Sequence, residues 1–218
     1  IKQAREGAYA YEQCLNDEAH LLGILQGHPR IIAVLDHGHR ELEGGITVPY
    51  LMLEYGGVPL SAVKHACGGS IEPGLGTHIA LEVLRALAWA HAHEIVHRDI
   101  KPANVLISRH GEVKLIDFGI AKASIIRQAT TEVKTVKGTT SYLAPEMVRQ
   151  EKLDGRADLW GVGVMLYEML SGRLPWISNQ ESDNDYKNEI KRLIVSEPPP
   201  PPVSYTHLRA HETKANLV

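Results

Sequence analysis

The stretch HRDIKPANVL, residues 97–106, concentrates reactive side chains that a purely structural loop would not need. It holds a carboxylate at Asp99, an ammonium group at Lys101 and a carboxamide at Asn104. A second carboxylate, Asp117, follows Asn104 by thirteen positions in the run LIDFG. Carboxylate and amide oxygens are the ligands that hard divalent cations prefer. These residues therefore indicate acid–base chemistry beside a cation, although Asp117 could also be an ordinary turn residue.

The segment between these residues has the pattern of a β-hairpin. The short apolar runs NVLIS and VKLID are typical of strands, and the RHGE segment between them predicts a turn around Gly111. A hairpin returns its two ends to one place, so we expect Asn104 and Asp117 to face one metal cluster.

The rest of the chain must position this hairpin. Hydrophobic periodicity predicts helices at about residues 9–26, 76–93, 157–171 and 186–195. Two early strands are predicted within residues 28–38 and 48–57. Because the strands cluster early and the helices late, we predict an α+β fold with a small mixed lobe followed by a helical one.

Composition narrows the function classes. The chain has 218 residues, of which 44% are hydrophobic and 22% charged, which suits one globular unit or two small lobes. It has no apolar run of membrane-spanning length, and its net charge of -3 gives no reason to expect nucleic acid as a partner. Only Cys14 and Cys67 are present, which fits a reducing cytosol. The HAH run at residues 91–93 lacks a second ligand cluster, so a metal site there is disfavoured.

The motifs HRDIKPAN, IDFG and LAPE (143–146) stand in the order of the protein-kinase signature set, and the sequence resembles that family over residues 1–202. The resemblance implies that Asp99 is the base for the substrate hydroxyl. It implies that Lys101, typical of serine/threonine kinases, neutralises charge on the transferring phosphate. It makes Asn104 and Asp117 the ligands of Mg²⁺ beside ATP, and it makes Thr139 a support for Asp99 and Lys101.

The resemblance also assigns residues to ATP binding. Lys2 matches the lysine that grips the α- and β-phosphates, and Glu18 matches its ion-pair partner. The alternative for Lys2 is an unrelated lysine, because only one residue precedes it and the usual strand context is missing. A β-type start before the first helix is nevertheless expected.

The run LMLEYGG resembles the hinge between kinase lobes. Leu53 would be the gatekeeper, backbone groups of Glu54 and Gly56 would meet adenine, and Leu106 would form the floor of the adenine pocket. The residues that match the apolar spine and its anchor are Leu22, Val34, His97, Phe118 and Asp158.

Among kinases, the sequence most resembles the bacterial Hanks-type (eukaryotic-like) serine/threonine enzymes. The resemblance implies protein substrates, a cytoplasmic kinase domain in a protein with a possible membrane anchor elsewhere, and Arg98 as the partner of a phosphorylated loop. We expect self-phosphorylation at Thr131 or Thr135, although these threonines could be ordinary loop residues. The alternatives are a small-molecule phosphotransferase of the aminoglycoside type and a pseudokinase scaffold that binds ATP without transfer.

The resemblance divides the chain into a partial N-lobe at residues 1–55 and a partial C-lobe at 56–202. We expect a fragment with doubtful activity, because the glycine-rich loop would precede Ile1 and the arginine partner of Glu146 would follow Pro202. Residues 203–218, VSYTHLRAHETKANLV, resemble a translated sequencing adapter, although they could also be a polar tail. They are therefore excluded from the predicted domain.

Overall fold

The computed structural model of the protein describes residues 2–118 and 139–201, with side chains throughout except at residues 2–11 and Ile46. The helices are α1 (Lys2–Ile24), α2 (Leu60–Ala66), α3 (Pro73–Ala92), α4 (Pro145–Val148), α5 (Arg156–Ser171) and α6 (Asp183–Ser196). The strands are β1 (Val34–Leu42), β2 (Ile46–Leu53), β3 (Val58–Pro59), β4 (Val105–Ile107) and β5 (Val113–Leu115). Single 3₁₀ turns form at Pro102–Asn104 and Thr139–Tyr142. This mixture of helices and small sheets confirms the predicted α+β class.

The strands form two separate antiparallel sheets. One contains β1 and β2, and the other has the order β3-β4-β5. The predicted hairpin is β4-β5, in which Leu106 lies opposite Lys114, and its turn places Gly111 at φ 82°. Glycine adopts such a left-handed conformation without the steric cost that a β-carbon brings. The hairpin prediction is therefore confirmed.

Helix ends follow local chemistry. The side chain of Glu72 accepts hydrogen bonds from the backbone N–H groups of Gly74 and Leu75, both at 2.9 Å, and Pro73 occupies the first turn of α3. These contacts satisfy orphan donors at the helix start. Helix α5 ends where Gly172 takes a left-handed conformation at φ 74°, as the sequence predicts.

One main core joins α1 to α3, α5 and the β4-β5 hairpin. Its fully buried members include Leu22 and Leu25 of α1, Leu87 of α3, Leu115 of β5 and Met165 of α5. A second cluster, centred on Trp176 and Ile190, packs α6 against α5. Because the main core contains residues from both sides of the predicted 55/56 boundary, the two predicted lobes share hydrophobic packing.

The start of α1 differs from the prediction. The helix begins at Lys2 instead of near residue 9, so the expected β-type start is wrong. The first residues of the helix, KQARE, are strong helix formers, and this local propensity outweighs the expected β-type start. Residues 28–33 likewise form no strand beyond a single bridge from Ile31 to Leu115.

Candidate active site

The catalytic-loop backbone is held by one buried carboxylate. Asp158, which is 1% exposed, accepts hydrogen bonds from the N–H groups of His97 at 2.8 Å and Arg98 at 2.7 Å. Arg98 has φ 67°, a left-handed conformation that costs a non-glycine residue energy. Charge-assisted hydrogen bonds offset such strain. Asp158 therefore sets the direction in which the chain enters Asp99.

His97 links the catalytic loop to the strand end that carries Asp117. Its Nε2 donates to the carbonyl of Ile116 at 2.9 Å, and its Nδ1 accepts from the N–H of Asp99 at 3.2 Å. Burial lowers the pKa of His97, so the ring is neutral and its proton resides on Nε2. The ring also packs against Phe118, with centroids 4.6 Å apart. This arrangement fixes both Asp99 and the approach to Asp117.

The Asp99 carboxylate is the centre of the predicted catalytic group. Lys101 Nζ donates to Asp99 Oδ2 at 2.8 Å, and Asn104 Nδ2 donates to the same oxygen at 3.0 Å and to the Asp99 carbonyl at 2.8 Å. Asn104 is 3% exposed, so its amide is locked in this orientation. The structure thus brings together three of the predicted catalytic residues, Asp99, Lys101 and Asn104.

Asp117 lies beside this group because the hairpin ends meet. The N–H of Ile116 donates to the carbonyl of Asn104 at 3.0 Å, which places Asp117 one residue from the Asn104 backbone. Asp117 itself adopts a left-handed conformation, with φ 56°. The hairpin thus brings the backbones of Asn104 and Asp117 together, and that their side chains face one metal cluster stays a prediction.

Glu18 faces Asp117 from α1. Burial, followed by the charge of Asp117 and a hydrogen bond to its carboxyl group, raises the pKa of Glu18 to about 7. Two carboxyl groups in contact repel each other when both are ionised. The repulsion is relieved when they share a proton or when a bound cation neutralises both. The acidic side of the site is therefore assembled from α1 and the end of β5.

The structure does not bring Lys2 to Glu18. The two residues lie sixteen positions apart on one continuous helix, a separation of about 24 Å along its axis, which two side chains cannot span. The predicted pair is absent from this structure, and the assignment of Lys2 to ATP phosphates stays a prediction.

The predicted hinge lies against the predicted adenine floor. A β-carbon built on Gly56 would lie 2.8 Å from Leu106 Cδ1, so the hinge backbone passes close to the Leu106 side chain. Leu53 ends β2 and packs against the main core, and Glu54 follows it directly. The four predicted hinge and floor residues are thus neighbours.

Thr139 and Asp99 line one shallow pocket. The other residues that line it are Arg98, Ile100, Tyr142, Leu143, Met147, Ala157 and Gly161. Gly161 makes close packing possible, since a β-carbon there would lie 2.8 Å from Ile100 Cβ. Thr139 is therefore on the same surface as the candidate base. The predicted phosphosites Thr131 and Thr135 and the tail at 203–218 lie outside the described residues.

Sequence reasoning missed several residues that hold the site together. His91 Nε2 donates to Asp158 Oδ2 at 2.7 Å. His91, from the HAH run in which a metal site is disfavoured, therefore supports the carboxylate that holds the catalytic loop. Glu168 of α5 accepts from Lys64 and from Tyr142, and burial and Glu168 together raise the pKa of Tyr142. No local signal identifies these partners, because their separations range from 26 to 104 positions.

The side chains present suit Mg²⁺. Both Asn104 hydrogen bonds from Nδ2 go to Asp99, which leaves the side-chain oxygen for a cation, and Asp117 adds a carboxylate. In residues 2–118 and 139–201, no three His, Cys, Asp or Glu side chains form a metal site of their own. A magnesium ion in a nucleotide site takes few protein ligands and completes its shell with phosphate and water oxygens. The donor set is consistent with that arrangement.

Comparison with known proteins agrees with this geometry. The model of the protein kinase domain family matches residues 1–212, and the chain belongs to that family. The match reaches into the segment 203–218, whose origin in an adapter stays a prediction. Relatives named below place the chain with the bacterial Hanks-type serine/threonine kinases.

The chain is similar to the serine/threonine-protein kinase PknB of Mycolicibacterium smegmatis, with 40% identity over 80% of this chain and 27% of that kinase. It is 37% identical to PknB of Mycobacterium tuberculosis over 84% of this chain and 28% of the relative. A probable serine/threonine-protein kinase of Streptomyces coelicolor is 40% identical over 70% and 23%, respectively. The chain thus spans about a quarter of the length of these relatives. None of the described helices has the length and apolar character needed to cross a bilayer.

Proposed function

We propose that the protein transfers the γ-phosphoryl group of ATP to serine or threonine hydroxyls of protein substrates. The observation that carries this proposal is the convergence of Lys101 and Asn104 on one oxygen of Asp99, at 2.8 and 3.0 Å. This group lies beside Asp117 through the hairpin. Family membership and the PknB relatives support the same reaction.

The described side chains divide the work of phosphoryl transfer. Asp99 accepts the proton of the substrate hydroxyl, since its carboxylate borders the pocket shared with Thr139. Lys101 lies beside it, where it neutralises charge on the transferring phosphoryl group. Asn104 and Asp117 would hold Mg²⁺, which when bound neutralises phosphate charge and orients the nucleotide.

The nucleotide would lie between residues 1–55 and 56–202, the two predicted lobes. The support is the predicted hinge, where Gly56 lies close to the Leu106 side chain. Glu18 contributes the carboxyl group that faces Asp117. We keep Lys2 as the candidate for the α- and β-phosphates, which requires an arrangement of the chain start different from the one described.

Self-phosphorylation at Thr131 or Thr135 is part of the proposal. Arg98 precedes the base, and its buried Nε has no hydrogen-bond partner among the described residues. A phosphothreonine would supply an anionic partner for Arg98 Nε. We place the kinase domain in the cytoplasm, where ATP and protein substrates are available.

The test is transfer of phosphate by the full-length protein with Mg²⁺ and ATP, followed by phosphopeptide mass spectrometry. Asp99→Asn should lower the transfer rate by about 10²- to 10⁴-fold, because the base is lost while the shape is kept. Nucleotide binding should be unchanged in this variant. A normal rate for Asp99→Asn would refute the role of Asp99. Nucleotide binding without transfer by the unaltered protein would instead favour a pseudokinase scaffold.

A further inference from the structure

The ammonium group of Lys114 joins three segments of the chain. Its Nζ, on β5, donates to Glu54 Oε1 in the hinge at 2.6 Å and to the carbonyl of Pro29 at 3.2 Å. The side chains of Lys114 and Glu54 are 15% and 28% exposed. Ion pairs sheltered from solvent are screened less than surface pairs, so this contact keeps more of its electrostatic attraction than an exposed pair would.

Two hydrogen bonds also join Glu54 to Ala33, in the segment between α1 and β1. Its N–H donates to the carbonyl of Ala33 at 3.0 Å, and its Oε1 accepts from the N–H of Ala33 at 2.9 Å. Burial opposes ionisation, but hydrogen bonds from Lys114 and Ala33 outweigh it and keep the pKa of Glu54 below its usual value. Glu54 is therefore ionised at neutral pH, and Lys114 is its cation.

The same hairpin supplies the cation and the predicted adenine floor. Leu106 and Lys114 are cross-strand partners, and such pairs lie on one face of a sheet. The hinge runs tightly over this hairpin, since a β-carbon on Gly57 would lie 2.1 Å from the carbonyl oxygen of Ile107. Gly57 also has φ 109°, which favours glycine. The hinge thus contacts the hairpin at its backbone and is held to it by the Glu54–Lys114 pair.

We propose that Lys114 is a positioning residue for nucleotide binding. Its ion pair with Glu54 fixes the hinge backbone relative to Leu106, and this spacing decides how well an adenine base fits between them. The inference rests on the proposed function, and it goes further because Lys114 need not touch the nucleotide. Loss of the pair loosens the hinge while leaving Asp99, Lys101 and Asn104 in place.

The test compares steady-state kinetics of the full-length protein with direct binding of adenosine without Mg²⁺. Lys114→Met should raise KM for ATP about fivefold to tenfold and change kcat less than about twofold, because only the adenine end is disturbed. Adenosine affinity should fall by a similar factor. Lys114→Arg should remain within about twofold of the unaltered protein, since a guanidinium can reach the same carboxylate.

A second variant and a matched control separate this role from general destabilisation. Glu54→Gln should raise KM like Lys114→Met, and the double variant should be no worse than either single variant, as expected for one shared contact. Arg109→Met removes an exposed cation from the turn of the same hairpin and should leave KM unchanged.

Two results would overturn the inference. They are an unchanged KM in Lys114→Met, whatever its kcat, and a lower melting temperature with unchanged adenosine affinity. The adenosine measurement also separates the two proposals. If the unaltered protein binds adenosine but transfers no phosphate, the proposed function fails while the Lys114 inference is still decided by the affinities.

Discussion

The two sides of the candidate site are built on different principles. On the catalytic-loop side, Asp158, His97 and Asn104 have hydrogen bonds of 2.7–3.2 Å to their partners, so the loop is held by contacts within the chain. On the α1 side, Glu18 meets Asp117, another carboxyl group, and its pKa rises to about 7. The catalytic-loop side is preorganised. The α1 side instead has two adjacent carboxyl groups, whose negative charge a bound cation would neutralise.

This difference predicts how substitutions on each side affect stability and reaction rate. A preorganised loop loses both stability and rate when its buried anchor is altered, because the strained backbone at Arg98 depends on that anchor. The acidic side should behave oppositely in the nucleotide-free protein. Removing one of its carboxylates relieves repulsion and should raise the free energy of unfolding. Substitutions on each side test this contrast.

The largest effect is expected for Asp158→Asn. An amide keeps the shape but offers one acceptor to three donors, the N–H groups of His97 and Arg98 and the ring of His91. We expect a loss of about 2–4 kcal/mol in unfolding free energy and a fall of about 100-fold in kcat. Chemical denaturation and steady-state kinetics measure the two quantities.

The control for this prediction is Asp154→Asn. Asp154 forms a surface ion pair with Arg156, with 53% and 83% of the side chains exposed, so a much smaller change in unfolding free energy is expected. Equal losses in Asp154→Asn and Asp158→Asn would contradict the view that the buried anchor is special.

An intermediate effect, of opposite sign, is expected for Glu18→Gln. Because the pKa of Glu18 is raised from 4.5 to about 7 in the folded state, its contribution to stability is complete below pH 4.5 and is lost as the pH rises through 7. Glu18 is partly exposed, so we expect the unaltered protein to lose about 1–2 kcal/mol between pH 5 and 8 from this group. The variant should lack this loss and be more stable at pH 8.

Urea denaturation at both pH values, without nucleotide or Mg²⁺, measures this difference. The control is Asp17→Asn, which removes a neighbouring carboxylate that accepts a hydrogen bond from the exposed Gln13. This variant should keep the pH dependence of the unaltered protein. Parallel pH profiles for Glu18→Gln and the unaltered protein would show that the Glu18–Asp117 contact does not destabilise the α1 side.

Sequence reasoning predicted the preorganised side better than the acidic one. The motif spacing and a glycine turn were enough to predict that Asn104 and Asp117 meet, because a hairpin is a local structure. The position of Lys2 was predicted from resemblance, and local helix propensity gave a different backbone. The run LMLEYGG could be singled out because it is continuous in the chain, and its role as a hinge stays a prediction.

Contacts between distant segments could not be predicted in this way. Lys114 and Glu54 are 60 positions apart, and neither the hinge assignment of Glu54 nor the strand around Lys114 indicates that their side chains pair. His91 and Asp158 are 67 positions apart, and the histidine lies in a motif that suggested metal binding. Their pairing follows from how α3, α5 and β5 pack, which depends on the whole core and not on any one pattern.

The smallest effect is expected for His91→Ala, which sharpens the account of the Asp158 anchor. Asp158 keeps its two backbone donors, so removing the ring should cost about 1 kcal/mol of unfolding free energy and lower kcat about three- to tenfold. His93→Ala is the matched control, because the His93 ring bonds to the carbonyl of Trp89 at the exposed end of α3. Denaturation and kinetics should show a loss for the first variant alone. Equal losses that a chelator reproduces in the unaltered protein would instead support a metal site at HAH.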